Sequence, residues 1–161
     1  VVLAHGRGSD ASPEDLQAQL DVRLLTLLEQ VEPEQHQGHG DHVNQASGEA
    51  KVVCGVRTFG FEPKDATTVA EVDRVYAYHL CGVAEPKRPW DWAVKLVGPV
   101  IVGLDSDPPT IEVAAATENV SYRDRVRQLF PPEYQEKAFN AFLTEEGFAE
   151  LRRRYDDAAG L

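Results

Sequence analysis

The sequence predicts an α+β domain with an N-terminal helix, a four-stranded antiparallel meander and C-terminal helices packed on one face of the sheet. Three observations predict it. Leucines recur at helical spacing between residues 16 and 31. Four runs rich in Val and other β-branched residues follow, each separated from the next by a Pro-containing turn signal. Helix-capping residues then return from Ser121 onward. Helix, strands, helices in that order bury their apolar faces most simply as layers around one sheet.

The first helix is predicted over residues 12–32 and is amphipathic. Ser12 suits the N-cap, Pro13 the first helical position, and Glu14 and Asp15 the positive end of the helix dipole. Leu16, Leu20, Leu24, Leu27 and Val31 form one apolar stripe, thickened by Leu25 and Leu28, before Pro33 stops the helix. That stripe has two uses, packing on the sheet or pairing with a partner protein. It spans too few turns for a free coiled coil.

The strands are predicted at residues 51–61, 72–83, 94–104 and 110–116. Pro99, beside Gly98, has no amide to give to a ladder, so the third strand is expected to be an edge or to carry a bulge. Three helices follow. Ser121 caps one that runs to Phe130, Pro131-Pro132 restarts the chain for one over residues 133–143, and Thr144 caps a last one with Phe148, Leu151 and Tyr155 on one face.

Two segments flank these elements. Residues 1–11 read as a flexible leader, and their apolar Val1-Val2-Leu3-Ala4 start as the remnant of a signal peptide or membrane anchor. Residues 33–50 read as a His- and Gly-rich linker without periodicity, and residues 51–161 as the α+β core.

Charge narrows the partners. The chain has 161 residues and a formal net charge of -11, so its field repels polyanions and nucleic acid is excluded as a natural partner. A phosphate-binding loop, a dinucleotide fingerprint and a nucleophile elbow are all missing from the sequence, and no cofactor is expected.

The cysteine pair carries the sharpest expectation. Placing Cys54 opposite Cys81 also places Val52 opposite Val83, Val56 opposite His79 and Thr58 opposite Ala77. The other face then carries Phe59, Phe61, Tyr76, Tyr78 and Leu80, so each face is chemically coherent in that register. Directly opposed cysteines of a non-hydrogen-bonded pair can bridge, and a disulfide indicates an extracytoplasmic protein, secreted or membrane-anchored.

Three further groups carry chemistry. His36, His39 and His42, with Asp41, sit in a Gly-containing stretch that reads either as a His-rich linker or as a weak surface site for Zn, Ni or Cu. Arg57, Phe59, Tyr76, Tyr78, Trp90 and Trp92 are expected to line a ligand or partner surface on the sheet, unless the C-terminal helices cover it as core. His79 with Cys81 or Asp73 is the only pairing that suggests catalysis, and His79 and Asp73 are six residues apart, about 20 Å along a strand. The leading expectation is a non-enzymatic extracytoplasmic protein-interaction domain, in a membrane-associated assembly. The alternatives are a carrier of a small ligand or metal, and a small enzyme with a cone-shaped pocket.

Overall fold

The computed structural model describes residues 12–31 and 50–161. Helix α1 (Pro13–Gln30) leads into a sheet of β1 (Lys51–Glu62), β2 (Arg74–Ala84), β3 (Lys95–Gly103) and β4 (Thr110–Val113), and the chain closes with α2 (Tyr122–Leu129), α3 (Pro132–Asn140) and α4 (Glu145–Ala159). The strands pair antiparallel in sequence order. The leader and the histidine segment fall outside the described residues.

Helix ends follow the capping chemistry. The Ser12, Ser121 and Thr144 hydroxyls accept the amides of Asp15, Asp124 and Gly147, each satisfying one donor that the first helical turn leaves open. Gly160 ends α4 in the left-handed conformation, at φ 72°. Helix α3 stops three residues short of the expected Leu143. The chain is extended at Ala141, and Leu143 is buried among the residues that α4 packs against.

The sheet is covered on both faces. On one, Leu16, Leu20 and Leu24 of α1 pack on Phe61, Val75, Ala77, Val100, Val102 and Val113. Leu28 packs on Val52, Cys54, Cys81 and Leu96. All four leucines are fully buried, so the α1 stripe is consumed as core. The C-terminal helices take the opposite face in two groups. Leu151, Tyr155 and Ala159 of α4 cover Val53, Tyr78, Leu80 and Trp90. Val126 of α2, Phe130 after it, and Tyr134 and Ala138 of α3 cover Tyr76, Ile101 and Ala114.

The register of β1 and β2 is the one read from the cysteines as far as Thr58↔Ala77. A bulge then intervenes, and Gly60 pairs with Tyr76 and Phe61 with Val75. One extra residue on β1 reverses the side-chain alternation beyond it. Phe61 therefore packs under α1, not beside Phe59 on the aromatic face as the unbroken alternation predicts. Gly60 is required here, because a Cβ at this position would sit 2.3 Å from the Tyr134 ring.

Pro99 is accommodated by the reach of β4. Strand β4 pairs with residues 100–103 of β3 only, so residues 95–99 of β3 pair with β2 alone. The Pro99 carbonyl accepts the Ala114 amide on the side away from β2, so its missing donor falls where the four-residue β4 ladder has ended. Gly98 precedes it at φ 138°, a conformation that favours glycine.

Candidate functional site

The Cys54–Cys81 disulfide is formed, with Cα atoms 4.0 Å apart. Both cysteines are fully buried beneath α1. The Cys54 amide donates to Glu29 and its carbonyl accepts from Arg154, so both polar groups point away from β2. That is the non-hydrogen-bonded type of antiparallel pair, in which opposed side chains come closest. A disulfide belongs to an oxidising environment.

This leaves no thiol for the catalytic pairing with His79. The His79 ring is fully buried, with Nδ1 2.8 Å from the Gly98 carbonyl oxygen. Asp73 lies at the other end of β2, where its backbone links Glu62 and Leu104. Among the described residues no group of three or more His, Cys, Asp or Glu is placed to hold a metal ion. His36, His39 and His42 lie outside them. Among the described residues no helix is long and apolar enough to cross a membrane.

The six residues expected to line one surface are distributed over three places. Tyr76, Tyr78 and Trp90 are buried beneath the C-terminal helices. Tyr76 stacks on Tyr134 with ring centroids 4.5 Å apart, and Trp90 meets Tyr155 edge-on at 5.1 Å. Lys95 and Arg152 both lie over the Trp90 ring. Trp92 is 78% exposed, at the end of the short 3-10 turn Trp90–Trp92. Arg57 and Phe59 line a cleft of about 390 Å³ at the outer edge of β1, between Gln17 of α1 and Lys137 and Asn140 of α3.

A second surface gathers where the two groups of C-terminal helices meet. Phe142 is 52% exposed and its ring lies 5.6 Å from that of Tyr78, which is buried below it. Tyr122, 41% exposed, meets Phe139, 37% exposed, edge-on at 6.1 Å. Burial first and then the Tyr122 phenol raise the Tyr78 hydroxyl pKa. Cations border the patch. The Arg123 guanidinium lies 5.7 Å from the Phe139 ring centre, and Arg57 donates to the Phe142 carbonyl at 3.3 Å.

Tyr122, Phe139 and Phe142 escaped the sequence reading because helical spacing identifies apolar positions without saying which ones a neighbour covers. Lys137 escaped because a single Lys on a short helix carries no pattern. No protein family, curated protein or solved structure matches this chain.

Proposed function

We propose that this chain is a non-enzymatic extracytoplasmic domain that binds a protein partner, as an accessory part of a membrane-associated assembly. The observation that carries the reading is the exposure of Phe142, which lies on Tyr78, and of the Tyr122–Phe139 pair. Aromatic residues left in water at neighbouring positions cost solvation that a partner relieves, and Tyr, Phe and Arg are enriched at such contacts.

Charge narrows the partner. The chain is strongly acidic overall, yet Arg123 and Arg57 border this patch. An apolar partner surface flanked by carboxylates complements it. The disulfide supports the compartment, since such bridges persist outside the reducing cytosol. With Cys81 bridged and His79 buried, the cysteine–histidine pairing that the sequence suggested is not available for catalysis.

Site-specific photo-crosslinking in the native envelope tests the reading. A photoreactive residue at Tyr122 should give one discrete protein adduct, and the same residue at Val22, exposed on α1, should give none. The Phe142→Ser change should abolish the Tyr122 adduct. Equal labelling from both positions would defeat the reading.

A further inference from the structure

The cleft beside β1 is chemically distinct from the aromatic patch. Its two charged side chains, Arg57 and Lys137, are both cationic. Gln17 and Asn140 supply amide donors, and Phe59 and Ala141 supply apolar wall. We propose that this cleft is an anion subsite that takes the carboxylate of a ligand whose remaining body is apolar.

Among the described residues, neither cation of the cleft is neutralised by a carboxylate of the fold. Acidic residues outnumber basic ones 27 to 16. Arg153 and Arg154 are each held by a carboxylate, Glu150 and Glu29. Arg57 and Lys137 have none within ion-pair distance among the described residues. Arg57 spends one donor on the Phe142 carbonyl, at 3.3 Å. A guanidinium has five donors in a planar fork that fits a carboxylate in two-point fashion. The Lys137 ammonium sits 5.9 Å from the centre of the Tyr134 ring, a contact that leaves its three donors unspent. Asp21, which feels the Arg57 charge, has its carboxylate engaged by the Thr58 amide.

Size and lining set the ligand class. A cleft of about 390 Å³ lies within the range of small-molecule sites. Phe59, half-buried and stacked on Phe130, offers an aromatic edge to a ring or branched chain beside the acid. The same chemistry arises from a free aromatic or branched carboxylic acid and from the carboxyl end of a peptide. This site and the aromatic patch share Arg57, which lines the cleft and donates to the Phe142 carbonyl, whereas Gln17, Lys137 and Asn140 belong to the cleft alone.

The test is an amide-resolved NMR titration with phenylacetate, against neutral phenylacetamide at matched ionic strength. Phenylacetate should shift the amides of Gln17, Thr58 and Asn140 saturably, and phenylacetamide should not. Arg57→Gln and Lys137→Gln should each weaken binding roughly tenfold or more, as loss of a charge-assisted hydrogen bond does. Arg57→Lys should recover part of the loss. Both side chains are exposed, so the variants should fold, which the unperturbed remainder of each spectrum verifies. No shifts, equal shifts from acid and amide, or binding unchanged in both glutamine variants would overturn the proposal. A peptide ending in a free Phe carboxylate then separates the sources. Tighter binding than phenylacetate marks a chain end and equal binding marks a free acid, and both uphold the subsite. Phenylacetate binding alongside a failed Tyr122 crosslink would remove the protein-partner reading and leave the subsite intact.

Discussion

Arg154 of α4 reaches past the edge of the sheet to Glu29 of α1 and bonds both its carboxylate oxygens, at 2.7 and 2.9 Å. Between them the two side chains also satisfy the outward-facing amide and carbonyl of Cys54. Farther along β1, Asp21 takes the Thr58 amide at 2.6 Å. Side chains from the helical layers thus occupy backbone positions that an edge strand otherwise presents to another chain. The contact ties all three layers together at the disulfide.

Arg154→Met should therefore destabilise the fold although the side chain is 31% exposed. The expected loss is about 1–3 kcal/mol, the range for hydrogen bonds to a charged group, with solvent screening favouring the lower half. Urea unfolding of Arg154→Met, Glu29→Gln and the double variant should show strong coupling. Additive losses would mean that the two residues act separately.

The disulfide closes a loop with a sequence separation of 27. Loop-closure entropy then assigns it about 3–4 kcal/mol. Cys54→Ala/Cys81→Ala should lose that amount in chemical unfolding while keeping its strand pairing, because Leu28, Val52 and Leu96 still pack around the site. A double variant as stable as the parent would contradict this.

Gly60→Ala should cost about 1–3 kcal/mol, the cost of overpacking, because the new methyl meets the Tyr134 ring at 2.3 Å. The ring belongs to a packed helix and cannot swing away freely. Combining Gly60→Ala with Tyr134→Leu should recover part of the loss, as thermal unfolding of the three variants would show.

The Asp21 carboxyl titrates above its ordinary value of 3.8, raised by burial against the opposing hydrogen bonds from Thr58. A raised native pKa means that the folded state holds this proton more tightly than the unfolded state does. The contribution is fully present below the unfolded pKa and is lost as pH rises through the native one. Asp21→Asn keeps an acceptor for the Thr58 amide and removes the titration. Relative to the parent, the variant should therefore gain stability as pH rises from the acid side to neutrality. Urea midpoints measured across that interval would show a constant difference if burial of the charge were unimportant.

What was legible in the sequence was whatever alternation and caps encode. Cys54 opposite Cys81 could be read because one register alone made both faces coherent, and Ser12, Ser121 and Thr144 because a cap is a local bond. The bulge after Thr58 could not be read. Its cause is a distant one, the Tyr134 ring that needs Gly60 beneath it. The end of α3 escaped for the same reason, since Leu143 leaves the helix to fill space under α4. The sites divide along this line too. Arg57 and Phe59 were identified by their shared strand, whereas Phe139 and Phe142 became a surface only when the packing of α2, α3 and α4 left them uncovered.

The proposed protein contact rests on the aromatic patch. The most direct measurement is calorimetric binding of the purified crosslinked partner to the parent and to Phe139→Ser/Phe142→Ser. Both side chains are partly in solvent, so the variant should still fold, with some loss of stability from the apolar area removed. Affinity should fall by at least about tenfold, the least that truncating a contact hot spot produces. An unchanged affinity in a stably folded variant would contradict it.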